Sequence, residues 1–381
     1  MRSTNASLAG CGTRGDELMI SDRDEALYIT PGSHIFQTEA WAEIKSNYGW
    51  HPTRLAIPFG KNGHANAMIL ERSQQLLPLL SPARVLYIPR GPIVDWEQLD
   101  ELPGLLETME RLALDRKAIF IKIDPEIVLG YGIPGEPGES NSSTAAKITE
   151  LLKSRGWRFS KDQIQFQNTV WIDLVDDENF ILAKMKQKTR YNIKLCQKKG
   201  VVIRRGGTRD LDRLFQLYAH TSLRDGFAIR ERKYYLDVWM KFMNADMAIP
   251  LVAEYEGEIL AGLFLFHLGK RSWYLYGMSS DEHRELMPNY GLQWEAIRLS
   301  KELGCEKYDL WGAPDIFDGN DRMAGVFRFK TGLGGEVVRL IGAWDYPARK
   351  LEYSLYSRVL PKVLEIMRRR GRRSTIQEAG G

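Results

Sequence analysis

The chain has 381 residues, 44% hydrophobic and 27% charged, with a formal net charge of +4. That length exceeds what one hydrophobic core usually supports and the composition is that of an average globular protein, so two domains are expected and global disorder is excluded. Cys11, Cys196 and Cys305 stand far apart with no C-x-x-C pair, which argues against a disulfide framework or structural zinc and points to a reducing compartment.

The polar stretch Arg2 to Ser7 ahead of Leu8-Ala-Gly-Cys11 supplies no apolar segment for export, so the N-terminus reads as a loose tail. The longest apolar run, Ile259 to Phe266, is far shorter than the ~20 residues that cross a bilayer, and the chain reads as soluble and cytoplasmic. A helix is expected from Thr38, carrying Trp41, Ile44 and Lys45, followed by strands over residues 53–59, 64–71 and 84–89. Leu102, Leu105, Leu106, Met109, Leu112 and Ala113 form a 3.6-residue stripe that leads into an apolar strand over 118–123. Residues 130–143, rich in Gly, Pro and Ser, read as a long loop, and a helix over 145–155 follows.

Residues 184–200 read as one helix closed by Gly200, with Leu182, Met185, Ile193 and Cys196 as its buried stripe. Lys186, Arg190, Lys194 and Lys198 follow one another at i, i+4 spacing, where like charges repel by about 0.2 to 0.5 kcal/mol per pair. Such a row is either a solvated basic face or the binding face for an anion. A strand over 201–204 follows.

The second half repeats the order of the first. Residues 250–255 and 259–267 form a hairpin around Glu256-Gly257, residues 271–278 add a strand, and Leu292, Ala296, Leu299 and Leu303 share a helix face before a strand over 306–311. The segment from Leu86 through a helix to Phe120-Ile-Lys-Ile-Asp124 parallels that from Leu275 through a helix to Tyr308-Asp-Leu-Trp311, so a duplicated α/β domain is inferred. In Gly325 to Gly335, Val326, Arg328 and Lys330 alternate with Phe327 and Phe329. The alternation predicts a strand with cations on one face, ending in a loop where Gly332, Gly334 and Gly335 admit a backbone or ligand. An ordinary edge strand with a solvated lysine has the same pattern. Near the end, Leu351, Leu355, Val359, Val363 and Ile366 precede Arg368-Arg-Arg370 and Arg372-Arg373, which describes a docking helix with cations at its C-terminus or a helix at an anionic membrane.

Four segments, Lys188-Thr-Arg-Tyr-Asn-Ile-Lys194 with Gly200-Val201, Trp273-Tyr-Leu-Tyr-Gly277, Tyr308-Asp-Leu-Trp-Gly312 and Gly325-Val-Phe-Arg-Phe-Lys330 with Gly334-Gly335, resemble the FemABX family of non-ribosomal peptidyltransferases. Members of that family add amino acids from aminoacyl-tRNA to the stem peptide of a peptidoglycan precursor. Fainter echoes lie at Phe36-Gln37 with Trp41 and Lys45, at Pro89-Arg-Gly-Pro92 with Asp95, and at Gln167-Asn-Thr169. The resemblance implies an α/β (α+β) chain of two tandem N-acetyltransferase-like (GNAT) domains. The first, residues 1–163 completed by 343–381, holds the acceptor, and the second, 164–342, carries the basic helix and the catalytic strand and loop. No stretch has the sustained heptads of a coiled-coil arm.

The chemistry so implied is aminolysis of the ester that joins an amino acid to the terminal ribose of tRNA, forming an interpeptide bridge. Lys330 matches the family's lysine that stabilises the developing oxyanion, and Phe329 the aromatic residue beside the tRNA end. The acceptor, lipid II or UDP-MurNAc-pentapeptide, carries a pyrophosphate. Arg190, with its planar fork, and Lys194 of the basic row suit that group, and by resemblance Lys45 joins them from the first domain. Tyr274 and Tyr276, two apart on one strand, point to one face and match a pair lining the substrate channel, with half-buried sheet packing as the alternative. Asp95 is the remaining substrate-binding candidate, a helix cap being its other reading.

Aminoacyl-tRNA is the co-substrate, and no further cofactor or metal is expected. A monomer in the cytoplasm is expected, with peripheral contact at the inner face of the cell membrane through the basic C-terminal helix. The rival is an acyl-CoA N-acyltransferase acting on a cell-envelope or small amine, which needs a glycine-rich pyrophosphate loop where Met287-Pro-Asn-Tyr-Gly-Leu-Gln293 offers one glycine. A non-catalytic RNA-binding protein would leave Lys330 unused.

Overall fold

The computed structural model describes residues 27, 30, 32–61, 63–74 and 83–358. In chain order these form α1 (Glu39–Asn47), β1 (His51–Phe59), β2 (Gly63–Gln74), β3 (Ala83–Ile88), α2 (Leu102–Asp115), β4 (Phe120–Ile123), β5 (Val128–Tyr131), β6 (Ser140–Asn141), α3 (Ser143–Ser154) and β7 (Arg158–Phe159). There follow β8 (Asn168–Asp173), α4 (Glu178–Lys184), α5 (Gln187–Lys198), β9 (Val202–Arg205), α6 (Leu211–Asp225), α7 (Arg232–Asn244), β10 (Ala248–Tyr255), β11 (Glu258–Leu268) and β12 (Arg271–Ser279). The chain ends with α8 (Pro288–Glu302), β13 (Lys307–Asp309), α9 (Ala324–Gly332), β14 (Glu336–Leu340) and β15 (Trp344–Tyr346), then a helical stretch over 350–358.

Local chemistry sets many of these boundaries. The Thr38 hydroxyl accepts from Trp41 N and starts α1, and Ser142 does the same for α3 through Ala145 N at 3.1 Å. Glu256 (φ 51°) and Gly257 (φ 85°) both take the left-handed conformation, the two-residue turn whose twist suits a hairpin.

Two sheets carry the fold, ordered β1-β2-β3-β4-β15-β7 and β6-β5-β14-β8-β13-β12-β11-β10-β9. Each contains the same unit. Strands β1, β2 and β3 are antiparallel and β3 then pairs parallel with β4 after the crossover helix α2. Strands β10, β11 and β12 are antiparallel and β12 pairs parallel with β13 after α8. This is the duplicated α/β architecture that the sequence pattern implies. The parallel pairing of β12 with β13 covers only Arg271–Trp273 against Lys307–Asp309, while β12 runs on to Ser279, so the two strands part beyond that point.

The two halves exchange strands. β15, near the end of the chain, lies between β4 and β7 of the first sheet. Residues 130–143, expected as a long loop, instead contribute to a hairpin, β5 with β6, that pairs with β14 in the second sheet. Its turn-rich composition hides a clamp: Arg339 donates to the carbonyls of Tyr131 (3.2 Å), Gly132 (3.1 Å) and Ser140 (3.0 Å) and to Asn141 Oδ1 (3.0 Å). A Cβ on Gly130 would lie 2.2 Å from Ser140 O, so glycine is required there. A cut at residue 163 therefore divides the chain but not the sheets.

Two further expectations are corrected. The single helix over 184–200 is two helices, broken at Met185 and Lys186, whose ψ angles of 149° and 146° are extended. The break is anchored from outside, Lys186 N donating to Gly332 O at 3.0 Å. Met185, Ile193 and Cys196 are buried as expected, and Gly200 (φ 82°) closes the helix. The predicted strand around Lys330 is helix α9. There Phe327 packs on Phe317 (5.4 Å between ring centroids) and Phe329 on Tyr290 (5.0 Å). Its glycines make room for the chain itself: a Cβ on Gly332 would lie 2.9 Å from Thr189 Oγ1, and one on Gly335 2.6 Å from Val170 Cγ1.

Helices α6 and α7, which have no counterpart among the sequence expectations, cover one face of the second sheet, with Trp239 stacked on Phe264 (4.3 Å) and Phe242 on Phe266 (5.2 Å). Within 350–358 the docking residue is Tyr353, its ring on Phe120 and its hydroxyl donating to Asp345 Oδ2 at 2.9 Å. Leu351 and Leu355, expected to dock, are 85% and 66% exposed. Val359, Val363, Ile366 and the arginines 368–373 lie outside the described residues, as does Cys11; Cys196 and Cys305 are buried free thiols. Among the described residues no helix exceeds 15 residues or is apolar enough to cross a membrane, and no coiled-coil arm is present.

Removing the Arg339 clamp leaves carbonyls of the β5–β6 hairpin without donors. Arg339→Ala is expected to destabilise the fold by about 1.5 to 3 kcal/mol, the range for a hydrogen bond to a charged group, seen as a lower urea midpoint. An unchanged midpoint would show that the hairpin is held by other contacts.

Candidate active site

The site is built at the end of β13, where the strands have parted. Asp309 is fully buried, and its Oδ1 accepts from Trp311 N (2.8 Å) and from the Thr169 hydroxyl, while Oδ2 accepts from Trp171 Nε1 (3.0 Å). Arg271 Nη2 stands 3.7 Å from Oδ2. Bonded in this way, Asp309 folds the chain back on itself. Trp311 (φ 54°) and Gly312 (φ 67°) both enter the left-handed region, which for an aromatic residue costs on the order of 1 kcal/mol or more.

The turn aims two successive carbonyls at Lys330, whose Nζ donates to Trp311 O and to Gly312 O (2.7 Å). Lys330 is 4% exposed, and burial pulls its pKa from the ordinary lysine range down to about 7 against the opposing pull of the Asp309 carboxylate. The ammonium lies 6.0 Å from the centroid of the Tyr274 ring.

Tyr274 and Tyr276 do not share a face. Leu265 pairs with Tyr274 and Phe264 with Tyr276, so Leu275 is an extra residue and β12 bulges there. The bulge breaks the two-residue alternation. Tyr276 joins Phe264 in the core under α6 and α7, packed on Tyr218, Tyr235 and Trp239 at 5.8 to 5.9 Å. Tyr274 turns to the Lys330 side, its ring lying over Gly277, where a Cβ would come within 1.8 Å of its hydroxyl.

Lys45 sits on α1, its Nζ 3.2 Å from the Tyr234 hydroxyl and 4.1 Å from the centroid of the Trp41 ring. Burial lowers its pKa to about 7, and the charges of Arg230 and Arg72 push the same way. Arg230 lies over the Tyr234 ring at 4.6 Å. Among the described residues none of these three cations has a carboxylate within ion-pair distance. Arg230 precedes α7 in no periodic pattern, so the sequence does not single it out, and its nearness to Lys45 appears only when α1 packs on α7. Ring contacts run from Tyr234 through Tyr235 (5.5 Å) to Tyr276 (5.8 Å), linking this cationic cluster to β12.

The remaining candidates lie elsewhere. Arg190 Nη1 donates to Ala183 O (3.2 Å) and Met185 O, so its guanidinium satisfies the end of α4 at the helix break. Arg190 and the exposed Lys194 line a cleft of about 500 Å³ floored by Leu182, Ile193 and Trp294. Asp95 is exposed and caps a turn, accepting from Glu97 N and Gln98 Nε2 at 3.0 Å each.

Residues of the first half clamp the turn from the other side. The Trp311 ring meets His34 (5.7 Å) and Phe36 (5.7 Å), and Arg90 lies 5.2 Å from its centroid. Arg271 pairs with buried Glu126. Burial alone would raise the Glu126 pKa, but the Arg271 guanidinium holds it down at about 2.

Comparison with known proteins gives a consistent set of relatives. The FemAB family model matches residues 28–254 and 246–360. The chain is 25% identical over 399 residues to the Lipid II:glycine glycyltransferase of Staphylococcus epidermidis, covering 87% of this chain and 92% of that protein. To the protein of the same name from Staphylococcus aureus (strain USA300) it is 24% identical over 419 residues, covering 91% and 96%. The crystal structure of FemX matches with a TM-score of 0.78 at 22% identity, covering 90% of this chain and all of that one, a likeness of fold.

The lowered pKa of Lys330 has a thermodynamic consequence. Between about pH 7 and the ordinary lysine pKa of about 10.4, the unfolded chain holds a proton that the folded chain has released, so stability gained through this group rises with pH across that window. The unfolding free energy of the wild type relative to Lys330→Met is therefore expected to increase from pH 7 to pH 10. A pH-independent difference would mean that Lys330 keeps an ordinary pKa.

Proposed function

This chain belongs to the FemAB family, and we propose that it moves an amino acid from aminoacyl-tRNA to the stem-peptide amine of a peptidoglycan precursor in forming the interpeptide bridge. The observation that carries the reading is the state of Lys330. In its protonated form Lys330 has three N–H donors, and two are engaged by Trp311 O and Gly312 O, so one is left for an oxygen of the substrate. As the amine attacks the ester carbonyl, charge gathers on the carbonyl oxygen and then on the departing ribose oxygen. A fixed donor that meets this charge in a dry site contributes roughly 2.7 to 4 kcal/mol to the transition state in other enzymes. The C–N bond forms, the C–O ester bond breaks, the amine sheds one proton, and the departing ribose oxygen takes one up, directly from the amine or by exchange through solvent. Phe329, next in sequence and packed on Tyr290, and the Tyr274 ring, 6.0 Å from the Lys330 nitrogen, are the aromatic groups assigned to the donor end in this reading.

The acceptor's pyrophosphate suits the cluster of Lys45, Arg230 and Arg72, which is rich in donors and, among the described residues, has no carboxylate within ion-pair distance. Both the lipid-linked precursor and the UDP-linked one carry that group. The relatives named for glycyl transfer to lipid II make glycine and lipid II the first pair to test. The reaction so read takes place in the cytoplasm, at the inner membrane face when the acceptor is lipid-linked, on a monomer and without a metal or CoA. Against the acyl-CoA alternative stands the start of α8. Its one glycine, Gly291, is used in packing, since a Cβ there would lie 2.6 Å from Cys196 Sγ, and Pro288 offers no N–H to a phosphate.

The direct experiment is to incubate the protein with a mixed aminoacyl-tRNA pool and each precursor and to read the mass added to the stem peptide. With the active pair found, Lys330→Met should lower single-turnover rate by roughly 10² to 10³ with acceptor affinity unchanged, and Lys330→Arg should recover part of the loss, because a planar fork replaces a compact charge. A rate within a few-fold of wild type would remove Lys330 from the chemistry.

Lys45→Met and Arg230→Ala should act in the opposite way. Each is expected to weaken acceptor binding by about 1.5 to 3 kcal/mol in calorimetry while leaving the saturated rate nearly intact. Undiminished affinity in both variants would place the pyrophosphate elsewhere.

A further inference from the structure

Helix α5 takes no part in the site described above, yet it begins where that site ends. Lys186 N donates to the carbonyl of Gly332, two residues beyond Lys330, and a Cβ on Gly332 would touch Thr189 Oγ1. The first turn of α5 is thus packed on the end of the helix that carries Lys330. From there Gln187–Lys198 runs for roughly 18 Å at 1.5 Å per residue.

Thr189, Asn192, Ile193 and Cys196 bury the inner side of α5. On the outer side Lys188, Tyr191, Lys198 and the cap residue Lys199 fall on one face, by the 3.6-residue period, and all four are exposed, Tyr191 at 62%. Elsewhere on this molecule some exposed helical cations are partnered along their own helix, as Arg111 with Glu107 and Lys233 with Asp237, while others such as Lys147 and Lys153 have no ion pair among the described residues. Among the described residues, no carboxylate lies within ion-pair distance of Lys188, Lys198 or Lys199. A solvated face gains nothing by excluding carboxylates and exposing an aromatic ring among the lysines. A nucleic-acid strand uses both, its phosphates meeting the cations and a base stacking on the ring.

We propose that the outer face of α5 is the track for the 3′-terminal strand of the aminoacylated RNA, with phosphates on Lys188, Lys198 and Lys199, a base on Tyr191 and the acylated end at Lys330. The inference rests on the aminoacyl-tRNA reading given above. From Lys188 to Lys199 the track is about 16 Å long, enough for four or five phosphates of a stacked strand at about 3.4 Å each.

The test compares two donors, full-length aminoacyl-tRNA and an aminoacylated dinucleotide too short to reach beyond the first turn of α5. The double variant Lys198→Glu, Lys199→Glu should raise KM for the full-length donor at least 10-fold, with kcat little changed. It should also flatten the log–log salt dependence of tRNA binding by about 1.4, at roughly 0.7 per lost phosphate contact. Tyr191→Ala should raise the same KM several-fold, and Tyr191→Phe should restore it. Transfer from the dinucleotide should match wild type in all variants, which also shows that they fold. An unchanged KM and salt slope with the full-length donor, or an equal loss with both donors, overturns the track while leaving the reaction standing. A wild type that transfers from neither donor overturns the reaction and the track with it.

Discussion

The lysine held by two carbonyls is the contact on which the rest of the structure depends. Burying an ammonium is costly unless its hydrogens are met, and here the acceptors are main-chain oxygens of a turn that would not form unaided. Asp309 makes the turn by bonding Trp311 N, and Thr169, Trp171 and Arg271 hold Asp309 in turn. The aromatic ring that the turn carries is then gripped by His34, Phe36 and Arg90. Six stretches remote in sequence therefore converge to position one nitrogen.

The exchange of strands gives this convergence its rigidity. β5 and β6 come from the first half into the second sheet and β15 returns to the first, so neither sheet is complete without the other half. Arg339 and the Glu126–Arg271 pair fasten the crossing segments at two places. A hinge between the halves would have to break sheet hydrogen bonds, so the positions of Lys45, on the first half, and Lys330, on the second, are fixed relative to each other by the fold. A substrate with a pyrophosphate at one end and a reacting amine at the other needs such a fixed span.

Most of the duplicated architecture was legible in the sequence, because strands β1 to β4 and β10 to β13 keep strong periodicity and their turns carry glycine. The misreadings have physical causes. Residues 326–330 alternate for too few positions to separate a strand from a helix, and the structure forms the helix with Lys330 buried. Tyr274 and Tyr276 obey a two-residue rule only in an unbroken strand, and nothing in Trp273-Tyr-Leu-Tyr-Gly277 announces that Leu275 is extra. Residues 130–143 look like a loop because their partner, Arg339, lies about 200 residues away. Lys330 and Lys45 enter as candidates through resemblance, and the cationic neighbours of Lys45 emerge only from tertiary contact. The charge row that singles out Arg190 displays number and spacing, whereas the bond of its guanidinium to the end of α4 is invisible until the helix is seen to break.

The two buried lysines share a depressed pKa and differ in what can restore it. Both are brought to about 7 by burial, and among the described residues Lys45 has like charges near it and no carboxylate within ion-pair distance. A diphosphate beside Lys45 brings its countercharge in the ground state, so the interaction is realised on binding and taken up with a proton as the lysine regains its charge. An ester carbonyl beside Lys330 is neutral, and its countercharge exists only while the carbonyl carbon is tetrahedral. On the proposed reaction the same physical condition, an ammonium deprived of water, favours affinity at one end of the span and rate at the other, because only the second interaction is stronger in the transition state than in the complex that precedes it.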